Sequence, residues 1–168
     1  MEKILIIRIP GSGKSTFANK LGNALNREVI HLDKFYRKSG WVVAYTKSEW
    51  LELVKNLVSK EQWIIDGNYH NTLDIRLSAS DIVVFLNFNK LLCLYRIFAR
   101  CYKKDHLLGI DKAEGDRNRI SWDLIKKVIL YPRKETLEKL KNYKNIKKIF
   151  IAKNDKEAEN LLKRLNEK

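Results

Sequence analysis

Short apolar runs alternate along the chain with longer stretches of helical spacing. Parallel strands, the first of them buried, are predicted where the apolar runs are rich in β-branched residues, at residues 3–9, 28–32, 62–67, 81–88 and 146–151. Helices are predicted at residues 14–25, 48–58, 90–104, 121–143 (disturbed at Pro132) and 155–165. Because strands and helices alternate, we expect an α/β fold whose parallel sheet is covered on both faces.

The first strand runs into a glycine-rich turn that a helical pattern follows at once. This segment comprises Pro10, Gly11, Ser12, Gly13, Lys14, Ser15 and Thr16. Glycines let a backbone bend round a phosphate, the lysine can reach the β- and γ-phosphates, and the serine hydroxyl can ligate Mg²⁺. The pattern predicts a nucleotide phosphate site, a P-loop. The alternative is a tight strand–helix turn with an incidental lysine.

Arg8 stands where the full pattern G-x-x-x-x-G-K-[ST] has its first glycine. A side chain there can crowd the corner between strand and loop. If the backbone needs a glycine conformation, the strain is about 1 kcal/mol or more. We therefore expect ATP binding to survive but to be weakened if that strain is present.

Two acids follow predicted strands, at the edge of the sheet where ligands bind in such folds. Asp33 can orient a substrate hydroxyl or take its proton; the alternative is a helix cap or turn. Asp66 ends an apolar strand and can approach Mg²⁺ opposite Ser15; the alternative is a structural Asp-Gly turn. Asn87 ends a further strand at the same edge.

Arginines are the candidates for neutralising a transferred phosphoryl group. Arg96 and Arg100 share a helix face, and Arg117 and Arg119 follow in a glycine-containing segment. This arrangement suits a lid that closes over a triphosphate; ordinary solvated arginines are the alternative. Arg76 is a further candidate on the acceptor side.

Aromatic residues cluster after the two acids. Tyr36 and Tyr69 are the candidates for stacking on a base or sugar, with Phe35, Trp41 and Tyr45 nearby; packing of a small helical flap is the alternative. The three histidines show no metal-ligand spacing. Cys93 and Cys101 fall in one predicted helix, which suits reduced thiols and a cytoplasmic protein.

Positive charge is concentrated in the second half of the chain. Of the net charge of +14, residues 1–89 carry +3 and residues 90–168 carry +11. A basic half can bind nucleic acid, but no helix-turn-helix, zinc or stacking pattern accompanies it, so DNA is a partner that we do not favour. The first apolar run is too short for export or a membrane span, and we expect no membrane association.

Several of these motifs together resemble those of the adenylate kinase-like P-loop kinases, and among them the bacterial DNA topology modulation proteins of the FlaR type. The specific part is the run Trp-Ile-Ile-Asp-Gly-Asn-Tyr at residues 63–69. The other matching segments are residues 10–16, 31–36 with 40–41, 76, 93–96 with 100, and 113–115. Departures are Arg8 at the loop start and Arg37 where a tryptophan is common.

The resemblance implies a P-loop NTPase fold with strand order 2-3-1-4-5, an acceptor flap at about residues 34–60 and a short lid at about 101–118. It also implies that Arg96 lies on the adenine, that Arg100 lies on the phosphates, and that the loop with Lys153 and Asn154 wraps the base. By the same likeness, the acid at Asp33 meets the acceptor hydroxyl.

The residues and the resemblance together indicate an ATP- and Mg²⁺-dependent phosphotransferase acting on a small-molecule acceptor. The rival interpretation is a nucleic-acid-binding protein for which nucleotide is at most a regulator. A third is a degenerate kinase with a structural role.

Overall fold

The computed structural model describes residues 2–38, 42–43, 45–102 and 122–167, and of residues 14, 15, 37, 38, 42, 43 and 100–102 the backbone alone. The expected lid arginines Arg117 and Arg119 lie outside these ranges, as do residues 103–118 of the expected lid.

Five strands form a parallel sheet: β1 (Lys3–Arg8), β2 (Val29–His31), β5 (Trp63–Asp66), β6 (Ile82–Leu86) and β7 (Lys148–Ala152). Their order is β2-β5-β1-β6-β7, which is 2-3-1-4-5 when only the strands of this sheet are counted, so the predicted topology is confirmed. The short strands β3 (Arg37–Lys38) and β4 (Val42–Val43) pair as a separate antiparallel hairpin.

Helices surround the sheet. They are α1 (Lys14–Leu25), α2 (Leu32–Tyr36), α3 (Lys47–Ser59), α4 (Leu73–Ala79), α5 (Lys90–Tyr102), α6 (Trp122–Ile129), α7 (Arg133–Asn142) and α8 (Asp155–Asn166). Helix α1 packs on α8, and α3 packs on α4. The central strands are buried on both faces, since residues 4–7 and 82–86 are all nearly inaccessible, and this explains their continuous apolar runs.

Several predicted boundaries shift by one or more residues, and three of these differences have a local cause or a consequence for the site. Strand β2 stops at His31, and α2 starts at once, so Asp33 lies in the first turn of a helix. Helix α3 begins one residue before Ser48, because Thr46 and Glu49 form a reciprocal capping box. The predicted helix 121–143 is two helices, because the chain leaves helical geometry around Pro132.

Candidate nucleotide and phosphoryl-transfer site

The carboxyl ends of the parallel strands gather the candidate residues at one edge of the sheet. Asp66, at the end of β5, is in register with His31 of β2 on one side and with Ile6 of β1 on the other. The glycine-rich loop leaves β1 two residues beyond this level. The ends of β1, β2 and β5 therefore place the loop and the acids side by side.

The glycine-rich loop has the backbone that a phosphate-binding turn requires. Gly11 and Gly13 have φ of 86° and 80°, which side chains disfavour, and a Cβ on Gly11 would lie 2.5 Å from the carbonyl oxygen of Cys93. Gly13 is the N-cap of α1, and Lys14 and Ser15 form the first turn of that helix. The N-terminus of a 12-residue helix therefore opens on the loop, with no acidic residue in its first turn.

Arg8 does not strain the loop. It is the last residue of β1, paired with Leu86, and Asn26 is the only non-glycine residue of positive φ in the described ranges. The side chain of Asn68 holds its peptide groups: Oδ1 accepts from the Arg8 N–H at 3.2 Å, and Nδ2 donates to the Arg8 carbonyl at 2.6 Å. A glycine conformation, on which the expected strain depended, is therefore not present at Arg8, because the chain is still extended here.

A cavity of about 370 Å³ opens beside the loop, between α1, α5 and α8. Its lining includes Ser12, Gly13, Thr16, Phe88, Arg96, Ala99 and Asp155. The Ser12 hydroxyl is buried and has no hydrogen-bond partner in the described part of the chain. The cavity thus joins the phosphate loop to a partly apolar wall, as a nucleotide site requires.

Arg96 crosses this cavity from α5. Its guanidinium lies 5.3 Å from the centre of the Phe88 ring and forms an ion pair with Asp155 at the start of α8. One guanidinium nitrogen, Nη1, would be 3.7 Å from a Cβ on Gly13. Arg96 is therefore next to both the phosphate loop and the apolar wall.

The loop that the resemblance expects to wrap the base leads directly into α8. Asn154 caps α8, because its Oδ1 accepts from the Glu157 N–H at 2.9 Å, and the Lys153 N–H donates to the Glu157 carboxylate at 2.8 Å. The residue that lines the cavity here is Asp155. Of Arg100, the structure describes only the backbone, near the end of α5.

On the opposite side of the loop, Asp33 adjoins a cluster of aromatic rings. The Tyr69 hydroxyl donates to Oδ1 of Asp33 at 2.7 Å. The rings of Tyr36, Trp50 and Tyr69 pack with their centres 4.6–4.9 Å apart. The rings that were candidates for stacking on a ligand therefore pack on one another and hold the hydroxyl that orients Asp33.

Arg76, the further candidate on the acceptor side, is buried and bonded to the backbone. It is 0% exposed, and its guanidinium donates to the carbonyls of Thr72, Gly67 and Tyr69. Burial lowers the pKa of Arg76 to about 10, against the opposing effects of Asp66, Tyr69 and Asp33. Arg76 is thus a buried cation that secures the chain after β5, because its donors are directed to backbone carbonyls.

His31 and Asn19 are site residues that the sequence reasoning missed. His31 is buried between Asp66 and Asn19, with ring nitrogens 3.0 Å and 2.9 Å from their oxygens. The sequence reasoning considered histidines only as metal ligands, and His31 contacts a carboxylate rather than a cation. The only signal was its position at the end of a predicted strand beside a candidate acid.

The donors at this edge fit Mg²⁺. Magnesium takes oxygen ligands and usually binds through one or two protein groups, with substrate phosphates and water completing its shell. Asp66 supplies a carboxylate, and Ser15 stands in the first turn of α1. The described residues contain no group of three or more His, Cys, Asp or Glu side chains that could hold a metal, and a phosphate-shared Mg²⁺ does not require one.

No protein-family model matches the chain, and no curated protein matches it. Several solved structures are similar to the chain. Deoxyadenosine kinase from M. mycoides with bound dATP has 14% identity and a TM-score of 0.55, over 99% of this chain and 100% of that one. Shikimate kinase from Acinetobacter baumannii in complex with shikimate has 20% identity and a TM-score of 0.57, over 98% and 90%.

A gluconokinase from Sinorhizobium meliloti 1021 has 18% identity and a TM-score of 0.54, over 99% and 94% of the two chains. The chain therefore has the fold of the P-loop kinases. None of its helices in the described ranges is long and apolar enough to span a membrane.

Proposed function

We propose that this protein is an ATP- and Mg²⁺-dependent phosphotransferase that acts on a hydroxyl or phosphate group of a small acceptor. The observation that carries the proposal is the convergence at one sheet edge of a phosphate-type loop, two acids and a cavity of about 370 Å³. The similar structures support it, since their names describe kinases of a nucleoside, shikimate and a sugar acid.

The proposal gives roles to the glycine-rich loop, the two acids and the arginines. Lys14 and the loop amides hold the phosphates, Ser15 and Asp66 hold Mg²⁺, and Arg96, Arg100, Arg117 and Arg119 neutralise the transferred group. With a hydroxyl acceptor, the γ-phosphoryl group moves from ATP to the hydroxyl oxygen, the hydroxyl proton passes to Asp33, and ADP leaves. Bound Mg²⁺ neutralises phosphate charge. Tyr69 keeps Asp33 in place, and residues 34–60 form the acceptor flap.

The test is an ATP-consumption screen over nucleosides, nucleotides and sugars, beside a thermal-shift assay with ATP and Mg²⁺. A hit should disappear in Lys14→Ala, with a melting temperature near that of the wild type, because the lysine acts on phosphate rather than on the core. Full activity in Lys14→Ala, or loss of its fold, would contradict the assignment.

DNA is the second candidate ligand, favoured by the +11 charge of residues 90–168 and by the resemblance to DNA topology modulation proteins. Phosphate contacts would make such binding tight at physiological salt and steeply salt-dependent. We propose a cytoplasmic kinase rather than a DNA-binding protein. We therefore expect DNA to bind weakly. Nanomolar DNA binding without any ATP-dependent stabilisation would reverse this order.

A further inference from the structure

The imidazole of His31 connects two parts of the candidate site. It is 5% exposed at the end of β2. Its Nδ1 lies 3.0 Å from Oδ2 of Asp66, and its Nε2 lies 2.9 Å from Oδ1 of Asn19. Because both of these oxygens are acceptors, each contact is a hydrogen bond when the ring nitrogen facing it carries a proton. Both ring nitrogens therefore contact polar groups, and these belong to two different elements.

The two contacts belong to the two elements that carry the proposed metal ligands. Asp66 is 0% exposed at the end of β5. Asn19 lies on α1, four residues and so about one helical turn beyond Ser15. His31 thus joins the strand that carries the acid to the helix that carries the hydroxyl.

We propose that His31 is a positioning residue for Mg²⁺ binding. Its imidazole holds the Asp66 carboxylate in a fixed orientation relative to the P-loop helix. The inference rests on the proposed function, since it takes Asp66 as the metal-side acid. A carboxylate can turn about its last side-chain bond, and hydrogen bonds from outer groups stop that rotation. Contacts at both nitrogens stop the ring from turning, so the orientation of the Asp66 carboxylate is fixed relative to α1.

A histidine that only filled the core would behave differently. Replacing it would lower the free energy of unfolding through lost packing, and the amount of Mg²⁺ needed for nucleotide binding would not depend on which contact was lost. The two roles are therefore separated by the Mg²⁺ requirement and not by stability.

Two substitutions divide the contacts of His31 between them. In His31→Asn, the amide nitrogen is as many bonds from the backbone as Nδ1, so it can still donate to Asp66. In His31→Gln, the amide nitrogen is as many bonds away as Nε2, so it keeps the contact with Asn19 and loses that with Asp66. Both variants put an amide in the same buried place, and each is the control for the other.

The measurement is the thermal shift produced by a fixed ATP concentration across a Mg²⁺ titration, with EDTA as the metal-free reference. We expect His31→Gln to raise the half-saturating Mg²⁺ concentration about tenfold and His31→Asn to change it by less than about threefold. The ATP shift in EDTA should be alike in all three proteins. Equal changes in both variants, or the reverse order, would overturn the proposal.

If His31→Gln does not fold, Asn19→Ala provides the test, because it leaves both His31 and Asp66 in place. It frees one side of the ring, and we expect a rise of about threefold in the half-saturating Mg²⁺ concentration; no rise would overturn the proposal. A wild-type protein without any Mg²⁺-dependent shift would remove the proposed function together with this inference. A wild-type response with indistinguishable variants would remove the inference alone.

Discussion

The two sides of the candidate site are built differently. On the side proposed for the nucleotide, α1, α5 and α8 border an open cavity that Arg96 lines. On the side proposed for the acceptor and the metal, buried and half-buried groups are bonded to one another: Tyr69 to Asp33, His31 to Asp66, and Arg76 to the backbone. The first side has room for a ligand, whereas the second holds its acids in fixed positions. Changes on the second side should therefore affect stability as well as the Mg²⁺ requirement, whereas changes on the first should affect binding with little effect on stability.

The largest expected effect is on the bonded side. Arg76→Met keeps much of the volume but leaves the carbonyls of Gly67, Tyr69 and Thr72 without their buried donor. We expect the free energy of unfolding to fall by about 3–5 kcal/mol, measured by urea denaturation. Arg27→Met is the control, since Arg27 reaches one carbonyl, that of Glu2, in a part-buried place. A loss no larger than in this control would show that Arg76 does not secure the chain.

The next effect is on the cavity side. Ala99→Phe places a ring in the cavity, and because Ala99 is only half-buried, the ring should fill space without disturbing the core. We expect ATP affinity, measured by titration with Mg²⁺ present, to fall at least about tenfold, with stability changed by less than about 1 kcal/mol. Ala24→Phe, on an exposed position of α1, should change neither. Unaltered ATP binding would place the nucleotide elsewhere.

A smaller effect is expected at the boundary between the two sides. Arg8→Gly restores the usual P-loop residue at a position whose backbone is already extended. We expect ATP affinity within about twofold of the wild type and a loss of stability of about 0.5–1 kcal/mol from glycine in a strand. Arg8→Ala should match the affinity with a smaller loss. Clearly tighter ATP binding in the glycine variant alone would mean that the Arg8 backbone is strained.

The smallest effect lies outside the site, between α4 and α7. Asp74 accepts hydrogen bonds from Lys139, with Nζ–Oδ1 at 2.7 Å, and from Tyr143. Both bonds lower the pKa of the Asp74 carboxyl, and the bond from Lys139 has the larger effect. A lowered folded-state pKa stabilises the fold above the ordinary carboxyl pKa, and this contribution is lost as the pH falls through the folded value. Asp74→Asn should therefore lower stability by about 0.5 kcal/mol at neutral pH.

That difference should fade in urea denaturation as the buffer is made more acidic than the lowered folded-state pKa of Asp74. Both proteins then carry a neutral side chain at position 74. A difference that persists in acid would mean that shape, rather than charge, makes the contact.

Local patterns determined much of the fold. The apolar runs predicted five strands, because buried strands need both faces apolar. The resemblance predicted their order, which the structure confirms. The glycine spacing predicted the turn at Gly11 and Gly13, since few other residues accept positive φ. Asp33 and Asp66 could be named as site candidates because parallel strands end at one edge. These inferences needed only neighbours in the sequence or the regularity of the fold.

Tertiary structure decided what each polar side chain contacts. The sequence offered Arg76 and His31 as an arginine near an acid and a histidine without spacing, and the fold made both into buried supports. Arg8 departs from the P-loop sequence pattern, and the side-chain amide of Asn68, sixty residues away, hydrogen-bonds to the N–H and the carbonyl of Arg8. Such pairings depend on burial and on contacts between distant segments, which a one-dimensional pattern does not contain, so only the folded chain assigns them.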